Sequence, residues 1–592
     1  MRNNILISLL ILILCVSTLL FVSCDTPNNN QQTAETPNNE ETIEPDDGVS
    51  AYPENGAKKI VSQVRNVYSS ADSVKEMTFA HYEETPDILL IDTKTACEFV
   101  FDSLLSQYGK YEIKETETAL TITRDNGAYC VIDFVKDSIY FNNFDMFRTR
   151  FNNTMSDILL SSYTDSNGNP IYFKLDESVD IAGDPVYLDL AERDIPLDIY
   201  DGKKYIPFQT LNDFFISPFE MNFAFNSKDV FDVSDGTLDP VLEEMYYSIG
   251  PKERSQALAQ YTANELCLVL DFYYGLQDEH GVNDGFKSYF ERCGLWDDLL
   301  STDPTKADNA LASLLVGYLV DMQSNLVTSS PYTGDPGLDY DNIKYDWAAL
   351  YYFDYFDILY AAKMEAMPDG VPGYQEIDNT AYINFDFLSL SYDRFEDYSE
   401  QSFEIDDTIG LIMYAHSMIN REDSPIENVV IDLSCCKGGY ADTTVYLVAW
   451  VLGYCNLHLT NPVTNSFSTA TYNIDVNLDG VFDKKDSIAD KNLYCIVSPS
   501  TFSSGNTVAS LLKESGMVTL IGDTTAGGGA LVQLITTADG SLFTLSNSFL
   551  NATVKNGVYY SIDFGVEPHI YFSKFESYFD REALTEYINN LS

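Results

Sequence analysis

The feature that most limits how this chain can fold lies in its last third, where apolar runs alternate with helix-periodic segments and end in serine or glycine turns. AYINFDFLSL (381–390), the helical TIGLIMYAHSMIN (408–420), the apolar NVVIDLS (428–434) and the helical DTTVYLVAWVLG (442–453) give a βαβα order. That order belongs to an α/β domain, a mixed sheet with flanking helices. The pattern continues with LYCIVSP (493–499) as a core strand, FSSGN as a tight turn and TVASLLKESG (507–516) as a helix closed by glycine. VTLIGDTTAGGG (518–529) adds another strand and a glycine-rich turn. Serines between a strand and a helix are most often N-caps, so Ser503 and Ser504 do not by themselves define chemistry.

Upstream the pattern changes. Residues 241–345 read as a helical segment, through SQALAQYTANELCLVLDFYYGL (255–276), GFKSYFERCGLWDDLL (285–300) and KADNALASLLVGYLVDM (306–322). Residues 53–240 read as a β-rich α+β module with short runs such as TALTITR (118–124) and AYCVIDFV (128–135). Two strand-then-helix stretches, DILLIDTKTACEFVFDSLL (87–105) and KKYIPFQTLNDFFI (203–216), hint at an internal repeat. Nothing in this module gathers acid, base and nucleophile, so it reads as a binding or spacer unit. With 41 Tyr and 35 Phe the chain has ample material for aromatic-filled cores.

The first residues address the chain. MRNN is a short basic start, ILISLLILILCVSTLLFV an apolar core, and Ser23 stands before Cys24. This resembles a bacterial lipoprotein signal, with cleavage after residue 23, a lipid on Cys24 and anchoring at the cell envelope with the ectodomain outside the cytoplasm. Residues 24–52 are polar and Pro-containing, as a disordered tether would be. The balance of 34 basic against 91 acidic residues gives a net charge of −57, which repels nucleic acid. Cysteines are too sparse and too scattered for a disulfide scaffold, and no CxxC pair offers a structural zinc site.

Taken together, the motifs from about 250 onward resemble the C-terminal processing, or tail-specific, serine peptidases and their tricorn-like and retinoid-binding-protein-like relatives, whose catalytic-type domain is ClpP/crotonase-like. IDLSCCKGG (431–439) is similar to the family's strand followed by Gly-Gly, and FGVEPHIYF (564–572) to its closing strand. The position of Asn506 points to Ser503, not Ser504, as the nucleophile, and Gly522, Thr525 and Gly527 follow at the family's spacing. The resemblance implies acylation of Ser503 by a peptide or protein substrate, with an oxyanion hole from the N–H groups of Gly438 or Gly439 and Ser504. The 55 or so residues between Asn325 and Tyr382 leave no room for the PDZ module that the processing enzymes usually carry.

Two departures concern the base that a serine hydroxyl needs. Gly528 stands where the processing peptidases have a lysine, and LVDMQSNL (319–326) places Gln323 where the tricorn-like branch has a histidine. A glutamine cannot accept a proton at neutral pH. Of five histidines, His569 replaces an Asp beside the terminal strand and is the candidate base, whereas His416 sits among apolar neighbours on a helix. The alternatives are a catalytically silent family member binding peptides or apolar ligands, and a chain whose N-terminal module binds an envelope polymer.

One motif stands apart. DVNLDGVFDKKD (475–486) sets Asp475, Asn477, Asp479, the Val481 carbonyl, Asp483 and Asp486 at positions 1, 3, 5, 7, 9 and 12 of an EF-hand-like loop, with Gly480 at 6. The spacing predicts a structural calcium site, against the alternative of a solvated acidic turn.

Overall fold

The computed structural model describes residues 59–150, 154–158, 172–337, 343, 347–390, 407–572 and 574–591. The signal-like start, the tether and Cys24 lie outside these residues. No helix among the described residues is long and apolar enough to cross a membrane.

The protein is a mixed α/β structure. In its C-terminal part, six strands lie in the order Tyr374–Ile377, Thr380–Asn384, Asn428–Asp432, Asn492–Val497, Val518–Gly522 and Ile570–Tyr571. All neighbours are parallel except the first pair, a hairpin. Such strands are covered on both faces and therefore read as apolar runs without alternation. One face packs on the helices Thr408–Ile419, Ala441–Leu452 and Ser504–Glu514, with Trp450 and Tyr446 fully buried. The other packs on Tyr578, Phe579 and the C-terminal helix Arg581–Asn589.

The N-terminal part holds a seven-stranded and a five-stranded sheet around a cluster of phenylalanines that includes Phe141, Phe147, Phe208 and Phe215. The two repeat-like stretches are each a strand and a helix, and their strands, Thr85–Asp92 and Lys203–Pro207, pair with each other antiparallel. This core runs on without a break through helix Gln256–Tyr273 to Phe543 and Leu550.

A fourth sheet crosses the boundaries expected at 240 and 345. Its hub is the strand Leu542–Lys555, which pairs with Asn325–Thr328, Cys455–Asn461, Ala530–Thr536 and Val558–Ser561. At its edge Phe173–Ile181 pairs with Ser466–Ile474, so a strand of the N-terminal module completes a sheet of the C-terminal one. The segment expected to be helical thus also contains a strand, Asn325–Thr328, which adds to this sheet and whose Leu326 is buried.

Asp432, at the end of the central strand, is fully buried. Burial pushes its carboxyl up, but the cations of Arg581 and Lys363 outweigh this and hold it below the usual aspartate range. The Arg581 Nη2 bonds its carboxylate directly. Arg581→Met leaves that charge short of a partner, and thermal unfolding should register a loss of about 3 kcal/mol or more, with Asp432→Asn in the same background recovering part of it.

Candidate active site

The site forms where two neighbouring parallel strands, Asn428–Asp432 and Asn492–Val497, end. Hydroxyls staple the turn after the second strand to the loop after the first: Ser498 Oγ donates to Ser434 O at 2.5 Å, and Thr501 Oγ1 to Leu433 O at 2.7 Å. Phe502 N–H adds a bond to Cys436 O at 2.9 Å, and Ser503 N–H donates to Gly527 O at 2.9 Å. Pinned from both sides, Ser503 adopts φ +53° and ψ −123°. A serine pays for this region with strain of about 1–3 kcal/mol, and such residues cluster at reactive sites. It precedes helix Ser504–Glu514 but its side chain caps nothing. The hydroxyl is therefore free of the role that serines usually have at this position.

Ser504 turns the other way, with Oγ donating to Gly439 O at 2.7 Å. Gly438 has φ +113°, and a Cβ there would stand 2.7 Å from Ser503 Cβ. At Gly439, with φ +146°, a Cβ would meet Leu388 O at 2.2 Å. Glycine is thus required at both positions, by backbone conformation and by space. No group among the described residues accepts from the N–H of Gly438, Gly439 or Ser504. Asn506 knits the far side: its Nδ2 donates to Ile562 O at 2.9 Å, and its Oδ1 accepts from Thr525 Oγ1 at 2.6 Å.

Gln323 reaches this site from 180 positions upstream, its Nε2 3.2 Å from Ser503 Oγ. A strained left-handed turn at Val320, φ +52°, precedes it. Asp321 then fixes the loop by accepting from Gln323 N–H at 3.0 Å, from Ser324 Oγ at 2.5 Å and from Ser546 Oγ at 3.0 Å. Gln323 Oε1 faces Ser546 Oγ at 3.4 Å. Whichever end of the carboxamide meets Ser503, it has no basic atom to offer.

His569 stands elsewhere. Its Nδ1 accepts from Leu520 N–H at 3.0 Å, and it does not line the cleft above Ser503. Burial, then Lys513, lowers its pKa. His416 accepts from Trp450 Nε1 at 3.2 Å, inside the helix layer. In the 475–486 loop the carboxylates are engaged by backbone amides: Asp475 accepts from Gly480 N–H at 2.8 Å, Asp479 from Val481 N–H at 2.8 Å, and Asp486 from Val476 and Asp483 N–H at 3.0 Å each. Asp483 accepts from Lys485 N–H at 2.7 Å, and Asn477 Oδ1 from Asp479 N–H at 2.9 Å. No group of three or more His, Cys, Asp or Glu side chains among the described residues is placed to hold a metal ion.

Sequence reasoning passed over Asp563, one residue before the closing motif. Its Oδ1 accepts from Gly529 N–H at 2.7 Å, and Gly528 N–H donates to its carbonyl at 3.2 Å. Burial, reinforced by Asp321, pushes its carboxyl up to about 7. Its nearness to Asp321 depends on chain closure, and no local pattern signals it.

Residues 407–572, a little over a quarter of the chain, match the model of peptidase family S41. No curated protein matches the chain. Among solved structures it is similar to a photosystem II D1 C-terminal processing protease at 16% identity, covering 33% of this chain and 42% of that one with a TM-score of 0.25. A lipoprotein from Streptococcus agalactiae gives 14% identity, coverage of 58% and 98%, and a TM-score of 0.35. The tricorn protease gives 10%, coverage of 81% and 46%, and 0.27.

Because the folded pKa of Asp563 lies above the ~3.9 of an unfolded aspartate, the stability it contributes is present below about pH 4 and is lost as pH rises through about 7. Asp563→Asn should therefore lose less stability than the parent between about pH 5 and pH 8 in paired thermal melts.

Proposed function

We propose that the chain is a serine-type peptidase in which Ser503 attacks a peptide carbonyl bound in the cleft. The observation that carries this reading is the strained backbone of Ser503 beside N–H groups of Gly438, Gly439 and Ser504 that have no acceptor among the described residues. A hydroxyl aimed from such a turn suits attack, and those amides suit the oxyanion that attack creates. The reaction is acyl transfer: Oγ bonds to the carbonyl carbon, the amine leaves with a proton, and water hydrolyses the ester. In this reading Gln323 holds the hydroxyl in position without taking its proton, so turnover is slow. Asp563 lies too deep behind the Gly528–Gly529 turn for an assigned role.

A second reading has its own support in Gln323 at 3.2 Å from Ser503 Oγ: a silent member of the fold that binds a peptide or apolar ligand without cleaving it. A fluorophosphonate probe separates the two. Labelling that disappears in Ser503→Ala supports an activated serine, and none where a known serine peptidase reacts supports the silent binder. Supplying a base by Gln323→His should raise the labelling rate by about a hundredfold, within the range of general-base catalysis.

Membrane attachment through Cys24, and with it a place at the cell envelope, is part of the proposal and rests on the first residues alone. Calcium at 475–486 is a further part, supported by the hard oxygen donors of Asp475, Asn477, Asp479, Asp483, Asp486 and the Val481 carbonyl. Binding would require the side chains to turn from backbone amides to the ion. Millimolar calcium should then raise Tm relative to EDTA, and Asp475→Ala should abolish the difference.

A further inference from the structure

The cleft above Ser503, about 690 Å³, is not enclosed by the peptidase domain alone. Arg148 and Arg150 of the N-terminal part line it together with Gln323, Ser503 and Tyr440. The two arginines differ. Arg148 donates to Asp145 at 2.7 Å and lies 4.1 Å from the Phe144 ring centroid and 4.6 Å from that of Phe549, so its charge is paired and its faces are covered, and of its buried nitrogens only Nε is without a partner among the described residues. Arg150 is also buried, its side chain 8% exposed, yet its Nε and Nη2 have no hydrogen-bond partner among the described residues. The opposing charge is Glu220, 3.1 Å from Nη2 but out of hydrogen-bonding alignment, on a side chain 71% exposed.

A buried guanidinium with empty donors is costly, and its fork of N–H groups matches a carboxylate. Glu220 supplies such a group from within the chain, at a left-handed residue that ends a short helical turn. We infer that Arg150 is a carboxylate-binding subsite of the Ser503 cleft, which takes a carboxylate of the bound peptide in place of Glu220. This rests on the reading of the cleft as a peptide site. Asp235 and Asp442 also line the cleft, so the subsite receives one carboxylate at one position and does not attract polyanions. It gives the N-terminal part a share in choosing the substrate.

The test uses the detergent-solubilised full chain carrying Ser503→Ala, and fluorescein-labelled Ala/Leu/Val peptides read by anisotropy. One peptide has an internal Glu and a C-terminal amide, one the matched Gln and amide, and one the Gln and a free C-terminus. At least one carboxylate-bearing peptide should bind about tenfold or more tightly than the Gln-amide peptide, the size of a charge-assisted pair. Which one does so identifies the source as side chain or terminus. Arg150→Gln should bring all three within about twofold, and Glu220→Gln, at an exposed position, should tighten the preferred peptide by removing the competitor. Equal binding of the three peptides, a preference that survives Arg150→Gln, or no change in Glu220→Gln overturns the subsite while leaving the peptide cleft standing. Failure of every peptide to bind overturns both.

Discussion

The strand Leu542–Lys555 is the constraint on which the rest of the molecule depends. Four segments hydrogen-bond to it, from the end of the helical part, from the strand after helix Ala441–Leu452, and from both of its own sequence neighbours. Its Ser546 N–H donates to Ser324 Oγ at 2.9 Å, and Ser546 Oγ donates to Asp321. Backbone pairing sets register to the residue, because a slip of one position turns every side chain to the opposite face. Register on this strand is therefore what delivers Gln323 to Ser503.

The second organising principle is the use of hydroxyls to brace a strained turn. Ser498 and Thr501 spend their donors on carbonyls of the adjacent loop, and Thr525 ties Asn506 to Val566 N–H at 2.6 Å. These bonds lie where water is excluded, so each lost partner would leave a buried polar group unsatisfied. That cost keeps Ser503 in a conformation it would leave if the turn were free. The energy of the surrounding network is held as geometry at one hydroxyl.

Packing also makes the N-terminal part inseparable from the site. Gln209 Nε2 donates to Thr536 O at 2.8 Å, Asn222 Nδ2 to Leu534 O at 3.0 Å, and Gln533 Nε2 to Ser217 Oγ at 2.7 Å. With a continuous apolar core behind these bonds, the two parts have little freedom to separate. A unit that reads in sequence as a binding or spacer module is, in the folded chain, one wall of the cleft.

What the sequence determined by itself was local. Periodicity gave the helices Gln256–Tyr273 and Ser504–Glu514, continuous apolar runs gave the strands Asn428–Asp432 and Asn492–Val497, and Gly438 and Gly439 marked a turn that admits no side chain. These follow from neighbours a few residues apart, so they are written in short stretches of chain. The choice of Ser503 over Ser504 came from the family resemblance and not from local pattern. Tertiary structure alone decided that Phe173–Ile181 completes a distant sheet, that Asp563 comes within the electrostatic influence of Asp321, and that Arg150 lines the cleft with donors unmet among the described residues. Each of these depends on contacts between segments far apart in the chain, where pairing register and burial, not local propensity, choose the partner.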